Sequence, residues 1–112
     1  MQLLYLYLYW EALRQLTDDY KVFTQILNQR GQIIAQQDKI AGAEAYPTSH
    51  WLPGTVVRDR FLLTIDPEAK SGTHKLIAGL YKPGGDLPRL SAEGEGAYGD
   101  HILIADIQIE GE

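Results

Sequence analysis

Two carboxylates held at a fixed separation can cleave a glycosidic bond, one as proton donor and the other as nucleophile or base. The sequence offers two acidic places to look for them: Asp18-Asp19, and Asp59 between Arg58 and Arg60. Asp18-Asp19 precedes a β-rich run, where such side chains cap turns through their own oxygens. Asp59 falls on the same alternate positions as Val57, Phe61 and Leu63. A carboxylate on an apolar face must find donors, since stranding it costs on the order of several kcal/mol. Asp59 is therefore expected to be structural, tied to backbone N–H groups of the 46–51 loop or to an arginine. Its two flanking arginines favour a surface or rim ion pair over a hydrolase.

The remaining chemical side chains form no compact motif. His50, His74 and His101 lie far apart and match no close ligand spacing such as H-E-x-x-H. Asp86, Glu93, Glu95 and Asp100 supply hard oxygens for calcium but not the spacing of an EF-hand, and read as a solvated acidic loop. Ser49 beside His50 is no triad, because neighbouring residues point apart and no G-x-S-x-G elbow is present. Gly84-Gly85 and Gly94-Glu95-Gly96 lack the following helix and lysine of a phosphate loop and read as turns. No catalytic residue, cofactor or metal ligand is assigned.

The aromatic residues carry the sharpest functional signal. In Leu4-Tyr5-Leu6-Tyr7-Leu8-Tyr9-Trp10, a period of two places Leu4, Leu6, Leu8 and Trp10 on one face and Tyr5, Tyr7 and Tyr9 on the other. The leucine face belongs in a core. The tyrosine face is left for solvent, a partner or further chain, and exposed rings of this kind can stack on sugars while their hydroxyls bond sugar oxygens. Tyr5, Tyr7 and Tyr9, with His50, are the candidate glycan or partner contacts. Trp10 and Trp51 read as core anchors, and Tyr20, Phe23, Tyr46, Asp59 and His74 as structural positions.

Composition narrows the class. The length of 112 residues suits one domain, and 45% hydrophobic against 22% charged residues is far from the composition of disorder. Ten basic residues scattered among fifteen acidic ones, for a net charge of -5, argue against nucleic-acid binding by phosphate neutralisation. No cysteine is present, which removes disulfides and thiolate chemistry together. The apolar opening has neither a basic n-region nor a small-residue cleavage site, and it falls well short of the roughly 20 residues that span a bilayer.

Six β-rich runs can position these residues: 4–10, 20–27, 32–38, 55–65, 73–82 and 101–109. Asn28-Gln29-Arg30-Gly31 turns the second run into the third, which makes that hairpin the most secure pairing. Leu13 and Leu16 follow Trp10 at three-residue spacing, so 11–19 is a connection with at most one short helical turn. Pro47 and Pro53 exclude a helix or a central strand from the loop that contains Tyr46 and Trp51. The 83–99 stretch is a long Gly-rich connection with the composition of a mobile loop. This pattern predicts an all-β, antiparallel, immunoglobulin-like β-sandwich of six or seven strands. With six in hand, the natural chain is expected to begin earlier and to contribute another strand.

One ordered set of residues resembles a known family. Asp19-Tyr20-Lys21-Val22-Phe23, Gly31, Gln37-Asp38, Tyr46-Pro47-Thr48-Ser49, Trp51, Pro53-Gly54, Val57, Asp59, Gly72 and Gly79-Leu80-Tyr81 are involved. In order and spacing they resemble the β-sandwich domain at the C-terminal end of bacterial multi-spanning membrane glycosyltransferases, similar to dolichyl-phosphate-mannose-protein mannosyltransferases. The likeness runs from about Leu8 to Ile109. It implies a non-catalytic accessory domain on the periplasmic side of a bacterial membrane, since the family's catalytic carboxylates lie in loops of the membrane domain. The implied partners are the rest of the parent protein and a glycan or lipid-linked sugar; a homo-oligomer is compatible. The chain departs from the family pattern at His74, where the family favours a tyrosine, and at Lys82-Pro83-Gly84-Gly85-Asp86. A tyrosine there would tie a corner through its hydroxyl, and His74 can substitute only with a ring nitrogen. A scaffold or interaction module is the leading expectation, a carbohydrate-binding module the second and a free-standing hydrolase the third.

Overall fold

The computed structural model describes residues 2–43, 45–84 and 89–110. Six strands form in chain order: β1 (Leu3–Glu11), β2 (Lys21–Leu27), β3 (Ile33–Ile40), β4 (Val56–Thr64), β5 (Gly72–Tyr81) and β6 (Ile102–Ile109). They make two antiparallel sheets, one ordered β1-β4 and the other β3-β2-β5-β6. The all-β, β-sandwich-like architecture expected from the alternation is what forms. The β2–β3 hairpin pairs Lys21 with Ile40 through to Leu27 with Ile33, with one register shift near its turn. Asn28 organises that turn, its Oδ1 accepting the backbone N–H groups of Arg30 and Gln32, both at 2.9 Å.

Alternation decides which faces meet. Leu4, Leu6, Leu8 and Trp10 of β1 pack against a core built on Phe61 and Leu63 of β4, Val22 and Ile26 of β2, Leu76 of β5 and Ile109 of β6. Trp51, buried to 3%, adds the loop between β3 and β4 to this core. β2 is the central strand, and its five middle residues are all buried. Val22 and Ile26 face the core, while Phe23 faces the opposite side of the sheet. Phe23 is covered there by the connection between β5 and β6, where the Arg89 guanidinium lies 4.0 Å from the ring centroid. Leu90 donates its N–H to the Leu80 carbonyl and Leu103 to that of Gly96, both at 2.8 Å. The described part of this Gly-rich connection is thus bonded to the sheet, and does not hang free as its composition implied.

One local expectation, a connection with at most one short helical turn over 11–19, holds, and one is corrected. Residues 12–19 contain no helical turn. Leu13 is 87% exposed, so the Leu13/Leu16 spacing marks no buried stripe, and the segment is a crossover between sheets anchored by buried Ala12. Among the described residues the one helical turn, of 3-10 type, is Thr48–His50. It follows Pro47, whose fixed φ suits the entry to such a turn, inside the loop from which the prolines were expected to exclude helix. None of the described residues forms a helix long and apolar enough to cross a membrane.

Gly79 of β5 lets the outer layer close on the sheet. A Cβ at this position would collide with the Phe23 ring and sit 2.9 Å from the Asp100 carbonyl oxygen. Gly79→Ala is expected to lower stability by about 1–3 kcal/mol, as overpacking of a close contact does. Urea unfolding monitored by tryptophan fluorescence measures this, and an unchanged midpoint would show that the loop and Phe23 yield freely.

Candidate functional site

The most heavily bonded side chain in the interior is Asp59. Its position on β4 points inward while Arg58 and Arg60 point out, and its side chain is fully buried. The reading that its arginine neighbours imply, a surface or rim ion pair, is therefore corrected: period two sends both arginines to the other face. Lys39 of β3 donates to Asp59 Oδ1 and forms its ion pair. Trp10 Nε1 donates to Oδ2 at 3.2 Å, and the Gly42 backbone N–H donates to the same oxygen at 3.0 Å. The partner is a lysine instead of an arginine, and the backbone donor comes from just before the 46–51 loop. Gly42 adopts φ +83°, and a Cβ there would lie 3.0 Å from the Trp51 ring. Glycine is thus required both for the left-handed turn and for its approach to the tryptophan.

The loop that follows is pinned along its length. Trp51 Nε1 donates to the Tyr46 carbonyl at 2.8 Å, and Tyr46 packs against the core. Buried Thr48 donates through Oγ1 to the Asp18 carbonyl at 2.6 Å and accepts the Tyr20 N–H at 3.0 Å. Asp19 Oδ1 accepts the Ser49 N–H at 3.0 Å, and the Ser49 bonds hold its carboxyl below the usual carboxylate range. Asp18-Asp19 therefore anchors the turn, Asp18 through its backbone carbonyl and Asp19 through its carboxylate.

The histidines do separate things. His74 is 2% exposed, and its Nε2 lies 2.9 Å from the Lys70 carbonyl oxygen. That oxygen can only accept, so Nε2 carries the proton, and the ring ties a corner four residues upstream. Among the described residues its Nδ1 has no hydrogen-bond partner. His101 Nδ1 lies 2.9 Å from Asp100 Oδ1, its ring stacks on Tyr98, and Arg89 reaches Asp100 Oδ2 at 3.3 Å. The bond from His101, followed by the charge of Arg89, lowers the Asp100 carboxyl, and so favours its ion pairs. His50 is exposed on the 3-10 turn. Among the described residues no hydrogen bond or ring contact joins it to the β1 tyrosines. Of the proposed calcium ligands, Asp86 lies outside the described residues. Among the described residues no three His, Asp or Glu side chains cluster to hold a metal. Tyr81 donates its hydroxyl to Asp38 Oδ2 at 2.9 Å; burial, then that bond, pushes its own pKa up.

The tyrosines form the exposed surface expected of them. Tyr5, Tyr7 and Tyr9 are 59%, 45% and 66% exposed on the outer face of the two-stranded sheet. Register sets Tyr5 opposite Leu62, Tyr7 opposite Arg60 and Tyr9 opposite Arg58. The Arg58 guanidinium lies 5.5 Å from the Tyr7 ring centroid. This face is therefore a row of phenols beside a row of guanidiniums. Arg58 and Arg60 were overlooked as members of it because the β1–β4 pairing is non-local. Lys39 was overlooked as well, although a lysine at an inward position of an alternating strand was a readable signal. No protein-family model, curated protein or solved structure gives a significant match to the chain.

Removing the buried carboxylate leaves the Trp10 and Gly42 donors and the Lys39 ammonium without their acceptor. Asp59→Ala is expected to cost about 3–5 kcal/mol, the range for breaking a buried charged pair from one side. Asp59→Asn should cost less, because an amide oxygen still accepts from Trp10 or Gly42. Denaturant titrations of both variants measure the difference, and a loss below about 1 kcal/mol for Asp59→Ala would place the pair among surface-type ion pairs instead.

Proposed function

We propose that this chain is a non-catalytic recognition and scaffold module of a membrane-bound glycosyltransferase, an immunoglobulin-like sandwich placed on the extracytoplasmic face. The observation that carries the recognition part is the exposed Tyr5-Tyr7-Tyr9 row beside Arg58 and Arg60. Tyrosine and arginine are the side chains that most often anchor interfaces, since they bring large rigid area together with polar tips. The groups that could do chemistry are engaged in holding the fold: Asp59 by Lys39, Trp10 and Gly42, Asp19 by Ser49, and His74 by Lys70. The link to a glycosyltransferase rests on the resemblance in the ordered Asp19 to Tyr81 residues.

A carbohydrate-binding module is the second reading, favoured by the exposure of the three rings on an open sheet face. Flat aromatic faces stack on the apolar faces of sugars, and neighbouring guanidiniums can donate to sugar hydroxyl or acidic groups.

The triple variant Tyr5→Ser, Tyr7→Ser, Tyr9→Ser separates the two readings. These side chains face solvent, so the variant should retain its unfolding midpoint to within about 1 kcal/mol. Titration against a panel of neutral and acidic glycans should show binding by the native chain and at least about a tenfold loss in the variant, as expected when central aromatic anchors are removed. Absence of binding by the native chain to every glycan would sink the carbohydrate reading. The scaffold reading would fall if the full coding sequence held no membrane-spanning segments.

A further inference from the structure

The two sheets differ in width, and the difference exposes one side of the sandwich. On one flank β3 and β4 close together through the Lys39–Asp59 pair and a 2.6 Å bond from the Leu62 N–H to Gln37 Oε1. On the other flank β1 and β6 are both last strands of their sheets. Near the Trp10 end of β1 lies a cavity of about 420 Å³, lined by Leu8 and Trp10 of β1, Leu80 of β5, Ile102 and Ile104 of β6, and Leu90 to Glu93 of the connection between β5 and β6. Ile102 and Ile104 remain 37% and 38% exposed, since no strand of the narrower sheet lies over them.

Among the described residues, none pairs with the free edge of β1 along its backbone. Ile65 donates its N–H to the Gln2 carbonyl at 3.0 Å, and the register continues in step from Leu3 opposite Thr64. Even-numbered residues of β1 therefore exchange hydrogen bonds with β4, and Leu3, Tyr5, Tyr7, Tyr9 and Glu11 direct theirs to the open side. Sheet edges are normally blunted by proline, lysine or a bulge. β1 has no proline or lysine, and it pairs with β4 without a register shift.

We infer that this slot is an acceptor site for one extended strand of a partner polypeptide, added to β1 and laid over β6. Its chemistry follows from the slot. Alternate side chains of the incoming strand must be aliphatic, to cover Leu8, Leu80, Ile102 and Ile104. Its length should be about nine residues, matching β1, or roughly 30 Å at strand rise. Its ends should be basic, because Glu93 lines the cavity near the Glu11 end of β1, and at the other end of β1 Gln2 Nε2 donates to the backbone carbonyl of Glu110. A second copy of this chain is a poor occupant. Joined through its own β1, it would bring its own β6 flank into the same space, since β1 and β6 are the last strands on one flank of the sandwich. Strand addition of this type draws its affinity from main-chain hydrogen bonds and its specificity from pockets for alternate side chains.

The test uses the whole chain and the synthetic peptide Lys-Val-Thr-Val-Thr-Val-Thr-Val-Lys. A control peptide is N-methylated at the alternate amides that would face β1. Saturating peptide is expected to slow amide exchange at Leu3, Tyr5, Tyr7 and Tyr9 by at least about tenfold, the signature of newly protected backbone. The methylated peptide should leave exchange unchanged. Tyr7→Pro removes one edge N–H without touching the β4 ladder, and Ile104→Lys obstructs the groove from an exposed position. Each should weaken peptide binding by at least about tenfold. No slowing, or equal slowing by both peptides, overturns the proposal. So does slowing without peptide that grows with protein concentration alongside a dimer in sedimentation, which would assign the edge to a second copy.

Discussion

The carboxylate of Asp59 sits where three parts of the chain must agree. Its strand belongs to the narrow sheet, and its lysine partner to the edge of the wide one. Its other donors are the Trp10 indole and the backbone of Gly42. A buried charge is costly unless every lone pair is used. Burying Asp59 therefore fixes β4 against β3, fixes the rotamer of Trp10 on β1, and fixes the left-handed turn at Gly42 that starts the loop to Trp51. The ion pair adds orientation to the hydrophobic contact between sheets, which is itself non-directional.

That orientation has a geometric consequence. A two-stranded sheet held at the β3 side of a four-stranded one leaves the β6 side uncovered, so the closure at Asp59 and the opening between β1 and β6 are two ends of one arrangement. The opposite face of the wide sheet needs a different cover, because the middle of β2 is buried on both sides. Phe23 receives it from Arg89 and the connection that follows, and the small size of Gly79 lets that layer approach. The fold is thus a narrow sheet, a wide sheet and a loop layer.

Much of this was legible in local pattern. The Leu/Tyr alternation announced a strand with an inward and an outward face. The Asn28–Gly31 turn announced its hairpin, and the apolar company of Asp59 announced a bonded carboxylate. What the sequence hid was non-local. That β1 pairs with β4, putting Arg58 and Arg60 beside the tyrosines, depends on a register between strands about fifty residues apart, on which alternation is silent. The lysine that reaches Asp59 depends on contact between sheets. The absence of a helix after β1 shows tertiary structure overriding spacing: Leu13 has the helical interval but no apolar surface to meet. The Pro47 turn shows the reverse, a short helical element allowed by a proline at its start.

The outward half of β1 calls for an explanation that folding does not supply. An exposed position opposite Arg or Leu on a neighbouring strand gains only about 0.2–1 kcal/mol from its cross-strand pair, and threonine or valine would fill such a position well. Three tyrosines in succession exceed that need, and they keep about half or more of their surface in water. The guanidinium over Tyr7 holds one ring in place without covering it. Around them a chain of net charge -5 places two arginines opposite two of the phenols, with Glu11 the acidic residue of β1 on the same face. Surface of this composition is suited to being covered by something else. On the proposed reading, the same strand that gives its leucines to the core would offer its rings to one partner and its backbone edge to another, with neither use disturbing the bonds that Asp59 holds inside.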